Sequence, residues 1–194
     1  MYIDHSLPRC DWCSNSYDEY ILYHDLEWGV PVHDDPTHFE FLILEGAQAG
    51  LSWSTILKRR EGYRKAFANF DPEKVARFDE KKIASLLTDT GIIRNRQKIF
   101  SAVNNARKFI KIQNEFGSFD RYIWGFVDGK PVINAWKTMR QLPASTSISD
   151  QLSKDLKARG FTFTGSTIVY SHMQATGLVN DHIIDCFRYR ELAG

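Results

Sequence analysis

The sequence lacks the long apolar runs, the leader-like start and the cysteine framework that mark several large protein classes. No run approaches the roughly 20 apolar residues of a membrane-spanning helix. The first ten residues, MYIDHSLPRC, lack the basic and then apolar pattern of a secretory signal. Three cysteines are too few for a disulfide framework or for an iron–sulfur cluster held by four cysteines. We therefore expect a cytoplasmic protein that contacts no membrane.

The chain also lacks an overall charge that would identify its partner, because its formal net charge is +1. The charges are unevenly distributed along the sequence. Residues 1–50 contain one basic and ten acidic residues, whereas residues 51–194 contain 24 basic and 14 acidic residues. The larger part could present a basic face to phosphates, although ordinary solvated helix faces explain the same pattern.

Strand-like alternation is scarce, and only GFTFT at 160–164 hints at a strand. Helix-start signals are frequent by contrast. Asp35 and Asp71 are each followed by proline, which is typical of a helix N-terminus, and Asp79 predicts another cap. Ser147 with Asp150 resembles a capping box. The sequence therefore predicts an all-α fold.

The predicted helices leave no room for a linker, a repeat or a second domain. The helix opened by Asp35 runs to about Leu51, and a basic helix follows over 54–68. Apolar residues recur at nearly helical spacing over 94–115, and glycines at 91, 160 and 177 end later helices. We expect a single domain over residues 1–194.

Two thiols and two imidazoles near the chain ends suggest a metal centre. His182 and Cys186 are four residues apart, and Cys10 and His24 lie near the N-terminus. Such a donor set makes a closed tetrahedral zinc site, which is the structural type. Cys13 competes with Cys10 as a ligand in this interpretation. The alternative is a buried cysteine with two surface histidines.

The stretch FLILEGAQAGLSW at 41–53 places a carboxylate, Glu45, directly after four apolar residues. Four small residues follow closely and allow the backbone to approach a ligand or DNA: Gly46, Ala47, Ala49 and Gly50. A desolvated carboxylate is costly unless a charged or hydrogen-bonding group meets it. A capping or solvent-facing role for Glu45 is the simpler alternative.

Several motifs, in the same order along the chain, resemble one family. They are RCDW, YHDLEWGVP, LEGAQAGLSW, TGIIRNRQKI, KDLKARGFTFTGSTIVYSHMQATGLVNDH and the closing Cys186. On these residues the chain resembles bacterial 3-methyladenine DNA glycosylase I. The resemblance implies an all-α fold of the helix–hairpin–helix glycosylase superfamily.

The resemblance also implies one structural zinc ion and a pocket for a flipped base. The zinc ligands are expected to be Cys10, His24, His182 and Cys186. They would join the terminal segments, about 1–35 and about 180–194, into a zinc-bound lobe. The base-binding residues are expected to be Trp12, Tyr23, Trp28, Glu45 and Trp53. Core packing is the alternative for the aromatic residues.

Glu45 and Tyr23 are the catalytic candidates that the resemblance implies. The aspartate that many superfamily members use falls here on Asn180, so the neighbouring Asp181 is kept as a further candidate. Its simpler role is turn formation beside a metal ligand. The DNA-binding candidates are Leu51, which would fill the gap left by the flipped base, and Gly165, Ser166 and Thr167. The alternative for Leu51 is an ordinary core leucine.

The hairpin departs from the superfamily pattern at one position, because Phe163 stands where the first glycine is usual. We therefore expect this turn to differ in detail from its relatives. The expected contacts of the hairpin are phosphates, bound by the free amides at the start of the following helix.

The sequence thus predicts a monomeric DNA repair hydrolase. It would flip N3-methyladenine out of alkylated double-stranded DNA, hydrolyse the N-glycosidic bond, and release 3-methyladenine without lyase activity. Two alternatives stay open: a catalytically silent binder of damaged bases, and a zinc-stapled helical scaffold for protein partners.

Overall fold

A computed structural model describes residues 3–14 and 16–194. Residues 1, 2 and 15 of the predicted single domain and of its N-terminal lobe segment lie outside the described part. Helices make up nearly all regular structure of the described residues, which confirms the all-α prediction. In chain order they are α1 (Asp18–Leu26), α2 (Asp35–Gln48), α3 (Trp53–Leu57), α4 (Arg60–Ala66), α5 (Pro72–Ala76), α6 (Glu80–Leu86), α7 (Arg96–Phe116), α8 (Phe119–Trp124), α9 (Ser147–Ala158), α10 (Ser166–Ala175) and α11 (Phe187–Ala193).

Helix α2 lies at the centre of the molecule and packs against α7, α8 and α10. It is apolar around most of its circumference, which requires burial on several sides. Asp34 caps its first turn, because its carboxylate accepts a hydrogen bond of 2.8 Å from the amide of Thr37. The prediction of Asp35 as the N-cap is therefore wrong by one residue. Its carboxylate instead accepts the amides of Phe119 and Asp120 at 3.0 and 2.8 Å, which joins α2 to the start of α8.

Helix α2 ends at Gln48, earlier than the end predicted near Leu51. A side chain from α7 explains the early end. The Nζ atom of Lys98 donates hydrogen bonds to the carbonyl oxygens of Ala47 and Ala49 at 2.8 and 2.7 Å. A helix end leaves such carbonyls without partners, so Lys98 satisfies two of them and fixes where the chain leaves the helix.

Residues 49–52 form an exposed turn that we call the tip. Gly50 has φ of +77°, a conformation that side chains disfavour. The side chain of Leu51 is 40% exposed, which excludes the alternative of a core leucine. Ser52 starts α3 by accepting the amide hydrogen of Thr55 at 3.2 Å. The basic helix predicted over 54–68 is divided, because α3 ends at Leu57 and α4 starts at Arg60.

Helices α9 and α10 form a hairpin at the edge of the molecule. Thr146 caps α9, and it exchanges hydrogen bonds with Ser149 at 3.2 and 2.8 Å. The capping box predicted at Ser147 and Asp150 is therefore one residue too late. Gly160 ends α9 with φ of +88°, as predicted.

The strand hinted at by GFTFT is wrong, because residues 160–164 form the turn of this hairpin. Phe163 has φ of +54°, which no strand residue adopts. Short strands occur elsewhere among the described residues. β1 (Val132–Ile133) and β2 (Val179–Asn180) pair in parallel.

The two ends of the described chain meet. The amide of Phe187 donates to the carbonyl of Pro8 at 2.9 Å, and Arg9 forms an ion pair of 2.7 Å with Asp25. Every described helix is too short or too polar to span a bilayer.

Candidate active site and metal centre

A pocket of about 200 Å³ opens where α1, α2, α3 and α10 meet. Its walls come from six parts of the chain, because the segment before α1 and the segment before α9 also contribute. The lining residues are Trp12, Tyr20, Tyr23, Trp28, Glu45, Gln48, Trp53, Met139, Leu142, Ser171 and Gln174. All five predicted base-binding residues are among them.

The aromatic rings of the pocket meet at steep angles. The ring centroid of Trp12 lies 5.2 Å from that of Trp28, with an interplanar angle of 76°. It lies 5.1 Å from the ring centroid of Tyr20, with an interplanar angle of 74°. Tyr23 lies 5.2 Å from Trp53 at 45°. Edge-to-face packing of this kind leaves a ring face free of its aromatic neighbour, so the pocket can offer π-faces to a planar guest. The buried Nε1 atom of Trp53 has no hydrogen-bond partner within residues 3–14 and 16–194.

Glu45 is a buried carboxyl without compensation. It is 4% exposed, and its Oε2 atom has no hydrogen-bond partner among the described residues. Burial raises the pKa of Glu45 to about 8. Uncompensated burial of a carboxylate costs several kcal/mol, so such a group is typical of a binding site rather than of a structural core. A guest that brings positive charge or hydrogen-bond donors would remove this cost.

Tyr23 faces the same pocket as a neutral phenol. Burial raises its pKa well above the ordinary value, and the negative charge of Glu45 raises it further. The hydroxyl therefore keeps its proton over the physiological range and can donate a hydrogen bond to a bound molecule.

Sequence reasoning missed six lining residues, and helical spacing from a predicted neighbour would have found two of them. Tyr20 is three residues before Tyr23 on α1, and Gln48 is three residues after Glu45 on α2. Ser171 and Gln174 are also three residues apart, but they lie on α10, which carries none of the predicted base-binding residues. Met139 and Leu142 come from the segment before α9 and carry no sequence signal of a pocket.

A second opening of about 320 Å³ adjoins the base pocket and runs to the tip. Glu45, Gln48 and Ser171 line both openings. The second one is also lined by Leu51 and by Thr167 at the start of α10. The structure thus brings two of the four predicted DNA-binding residues to the mouth of the base pocket, where an incoming nucleotide would enter.

The hairpin turn has Phe163 at the position where the sequence predicts a departure from the superfamily pattern. Phe163 itself adopts the left-handed conformation. Its Cβ atom would lie 3.5 Å from a Cβ atom added at Gly46. Thr162 is held by Asn105, which donates to its carbonyl at 2.8 Å and accepts from its amide at 2.9 Å. Ser153 donates to the carbonyl of Thr164 at 2.7 Å. The turn is therefore fixed by side chains of α7 and α9.

Gly165 is the N-cap of α10 and brings no side chain to the helix start. The hydroxyl of Ser166 is already bonded to that of Ser149 at 2.8 Å. Thr167 is exposed. The amides at a helix N-terminus of this kind are suited to an anion, because they are unpaired and lie at the positive end of the helix dipole.

The four predicted metal ligands meet in one buried cluster, in which their donor atoms all lie within 4.8 Å of one another. The sulfur of Cys186 is 3.5 Å from Nε2 of His24 and 3.4 Å from Nδ1 of His182, which is 3.6 Å from the sulfur of Cys10. A tetrahedral zinc site has sulfur–nitrogen distances of about 3.6 Å, given zinc–ligand bonds of about 2.3 and 2.0–2.1 Å. The residues therefore fit a metal ion of this type.

Hydrogen bonds outside the cluster orient both imidazoles. Nδ1 of His24 contacts the carboxylate of Asp25 at 2.8 Å, and Nε2 of His182 donates to the carbonyl of Trp28 at 2.9 Å. Partners of this kind are usual behind metal-binding histidines. Cys13 lies outside the cluster, and its thiol donates to the carbonyl of Cys10 at 3.3 Å.

The cluster of the four predicted metal ligands also supports one wall of the base pocket. The ring of His182 lies 4.6 Å from that of Trp28, and the ring of His24 lies 5.2 Å from that of Trp12. Both tryptophans line the pocket, so the pocket shares a wall with the cluster.

Asp181 lies behind the pocket and is fully buried. Its carboxylate accepts hydrogen bonds from Asn134, Trp136 and Gln174 at 2.7 Å each and from Tyr170 at 2.5 Å. It does not appear in the lining of the pocket. Four donors therefore hold the carboxylate of Asp181 in one orientation behind the pocket.

Comparisons with known proteins agree with this geometry. A family model for methyladenine glycosylases matches residues 12–189. DNA-3-methyladenine glycosylase 1 of Escherichia coli strain K12 is 49% identical over 183 residues, which cover 94% of this chain and 97% of that protein. DNA-3-methyladenine glycosylase of Haemophilus influenzae is 45% identical over 178 residues, covering 92% and 96%.

Solved structures give the same result. A crystal structure of 3-methyladenine DNA glycosylase I matches with a TM-score of 0.90 and 51% identity, covering 93% of this chain and 98% of that one. A structure that describes 3-methyladenine recognition by the Staphylococcus aureus enzyme matches with a TM-score of 0.89 and 39% identity, covering 92% and 95%.

Proposed function

Because the chain belongs to the methyladenine glycosylase family, we propose that it flips N3-methyladenine out of alkylated duplex DNA and hydrolyses its N-glycosidic bond. The products are free 3-methyladenine and an abasic site. The observation that carries this proposal is the buried carboxyl of Glu45, which has an unpaired oxygen and stands in a pocket of aromatic rings.

N3-methyladenine in DNA is a cation, and it complements this pocket in two ways. Its charge and its exocyclic N–H groups match the carboxylate of Glu45. Its planar ring matches the faces of Trp12, Trp28 and Trp53, because cations and purines are attracted to aromatic faces. An unmodified purine brings no positive charge, so it would leave the carboxylate uncompensated.

The chemistry requires little beyond recognition and positioning. The bond between the sugar carbon and the base breaks with both electrons moving to the base, which leaves neutral. No general acid is needed for this step. A water molecule then adds to the sugar cation and loses a proton to solvent. The positive charge of the bound base lowers the pKa of Glu45 from its value of about 8 in the empty pocket, so the carboxyl group ionises in the complex. Its negative charge favours the positive sugar in the transition state, and the neutral hydroxyl of Tyr23 orients the base.

The tip and the hairpin supply the DNA contacts in this proposal. Leu51 is an exposed apolar side chain at the mouth of the pocket, where it can fill the space that the flipped base leaves in the duplex. The free amides at Gly165, Ser166 and Thr167 bind phosphate without reading sequence, as an enzyme that scans DNA requires.

The metal is proposed to be zinc in a structural role. Two thiols and two imidazoles form a closed set with no position left for a substrate. The ion would hold Cys10 and His24 to His182 and Cys186 and so join the terminal segments, about 1–35 and about 180–194, into one lobe. Buried apolar residues form a continuous core across the described chain, which supports a single domain over 1–194.

Three further properties complete the proposal. The enzyme is monofunctional, because the pocket lining contains no lysine that could form a Schiff base with the sugar among the described residues. It acts as a monomer, since the described residues of one chain supply the whole pocket. It works in the cytoplasm, where bacteria keep their DNA.

The test is release of free 3-methyladenine from methylated duplex DNA, measured by chromatography. The wild-type chain is expected to release the base and to leave the strand intact until alkaline cleavage. Binding of the DNA without release would support a silent binder instead. Absence of both binding and release would support a scaffold for protein partners.

A further inference from the structure

We infer that Gln174 determines specificity, and that its side-chain oxygen accepts a hydrogen bond from the exocyclic amine of the flipped base. This inference rests on the proposed function and extends it to a second polar contact. Gln174 and Glu45 line the same pocket from α10 and α2, two helices that pack against each other.

Asp181 fixes which end of the Gln174 amide is available. The Nε2 atom of Gln174 donates to Oδ2 of Asp181 at 2.7 Å. A carboxylate accepts hydrogen bonds, so the amide nitrogen and not the amide oxygen must face it. The hydrogen bond to Asp181 therefore fixes which of the two amide atoms, nitrogen or oxygen, faces the carboxylate.

Asp181 is itself held in place. Tyr170 donates to the same oxygen at 2.5 Å, and Asn134 and Trp136 donate to the other oxygen at 2.7 Å each. Four donors leave the carboxylate little freedom to turn. Asp181 is thus a positioning residue, which acts on the base through Gln174.

The oxygen of Gln174 is the free end of this chain of contacts. Within residues 3–14 and 16–194, no group donates a hydrogen bond to Oε1 of Gln174. This oxygen is also absent from the fully buried atoms that lack a partner. It is thus accessible on a half-buried residue that lines the pocket. An accessible amide oxygen is an acceptor only, so it selects a guest with an N–H group.

This selection separates adenine from guanine. Adenine has an amine on its six-membered ring where guanine has a carbonyl oxygen. The amine has two hydrogens, and the pocket offers two acceptors, Glu45 and Gln174. A carbonyl at that place would put oxygen against oxygen and leave the acceptors unpaired, which costs binding energy. The geometry therefore favours 3-methyladenine over 3-methylguanine.

The test uses DNA methylated with a reagent that forms both lesions on the same duplex. Gln174→Met keeps the length of the side chain and removes the acceptor. We expect its release of 3-methyladenine relative to 3-methylguanine to fall about tenfold, which corresponds to one lost hydrogen bond. Weaker folding or weaker DNA binding lowers both releases together, so the ratio isolates recognition. An unchanged ratio would overturn the inference.

Tyr170→Phe is the matched control. It removes a donor to the same oxygen of Asp181 but leaves the bond from Gln174. The release ratio should stay within about twofold of wild type while the Tm falls. A ratio that falls as far as in Gln174→Met would show a general loosening of the pocket and would overturn the assignment to Gln174.

A second measurement needs no variant. Free 3-methyladenine and its N6-monomethyl derivative are titrated into the wild-type holoprotein, and the derivative, which has lost one N–H group, should bind about tenfold more weakly. Equal affinity would overturn the inference. Wild-type protein that releases neither lesion contradicts the proposed function, whereas equal release of both contradicts only this inference.

Discussion

The metal centre and the base pocket share a wall but treat buried polar atoms in opposite ways. At the metal centre, His24 and His182 each use one ring nitrogen to contact a backbone or side-chain oxygen and turn the other towards a thiol. In the pocket, Oε2 of Glu45 and Nε1 of Trp53 have no hydrogen-bond partner in the part of the chain that the structure describes. A buried polar atom without a partner costs about 1–3 kcal/mol.

The difference separates groups that stabilise the fold from groups that serve a ligand. Satisfied atoms hold neighbouring segments in one arrangement. Unsatisfied atoms destabilise the empty protein and are satisfied only by a guest of complementary charge and hydrogen bonding. Substitutions in the two regions should therefore change stability in opposite directions.

The largest expected effect is at the metal centre. Cys186→Ser removes one ligand of a closed site, and metal binding to such a site is folding energy. We expect a loss of about 4 kcal/mol in the free energy of unfolding, or about 10 °C in Tm. Excision should fail as well, since the metal centre supports the wall with Trp28. Thermal unfolding before and after chelation measures this.

Cys13→Ser is the control, because Cys13 is buried but lies outside the cluster. It should keep one zinc ion per chain by elemental analysis. Wild-type protein that contains no zinc after purification would contradict the structural role.

The second-largest expected effect is at Glu45, where a substitution should raise the free energy of unfolding instead of lowering it. Burial raises the pKa of Glu45 to about 8 from 4.5, so folding becomes less favourable as the pH rises from 4.5 to 8 and the buried group must ionise. Glu45→Gln removes this cost and should raise the free energy of unfolding by about 2 kcal/mol above pH 8. Excision should fall by more than about 100-fold, because the cationic base loses its counter-charge.

Glu40→Gln on the same helix is the matched control. Glu40 is also largely buried, but its carboxylate accepts from Arg60 at 2.6 Å and from Arg64 at 2.9 Å. This variant should lose stability where Glu45→Gln gains it. Urea unfolding at pH 6 and pH 9 compares them, and a Glu45→Gln protein less stable than wild type at pH 9 would refute the interpretation.

The third effect tests the tip. Leu51→Ala should leave the free energy of unfolding within about 0.5 kcal/mol of wild type, because the side chain is exposed. Excision from duplex DNA should fall about tenfold, since flipping loses its apolar plug. Affinity for free 3-methyladenine should not change. Equal losses in the two assays would argue against a role in flipping.

The smallest effect concerns His172, a buried residue of α10 whose ring nitrogens have no hydrogen-bond partner among the described residues. Burial, with a contribution from the nearby His38, lowers the pKa of His172 well below 6.5. The unfolded chain takes up the proton first, so stability falls as the pH drops below about 6.5. His172→Leu should reduce the loss between pH 7 and pH 5 by about 1 kcal/mol. Urea unfolding at pH 7 and pH 5 measures this loss of stability. An equal loss in wild type and in His172→Leu would contradict the prediction.

Much of the fold follows from local sequence signals. The caps at Asp71 and Asp79 and the end of α9 at Gly160 were predicted, because each depends on residues within one turn. The end of α2 was not predicted, because Lys98 lies some 50 residues away and determines it from another helix. The resemblance identified the hairpin turn, but the alternation in GFTFT hinted at a strand there, because a positive φ at Phe163 cannot be inferred from a side chain that disfavours it.

The site shows the same division. Glu45 could be recognised from sequence as a carboxylate in an apolar run. The metal ligands were brought together by resemblance, since no local motif joins Cys10 to Cys186. Gln174 was missed, because its role depends on Asp181 and on which face of α10 meets the pocket, and neither is encoded by spacing alone.

Lys98 has one further consequence, for how closely the tip can approach DNA. The end of an α-helix carries about half an elementary negative charge, and α2 ends beside the tip. Left bare, this charge would repel the phosphates of a duplex into which Leu51, the proposed plug, inserts. The ammonium group of Lys98 covers the last carbonyls of α2 and cancels that field. A cation on α7 thereby lowers the electrostatic cost of bringing the tip close to a phosphate backbone.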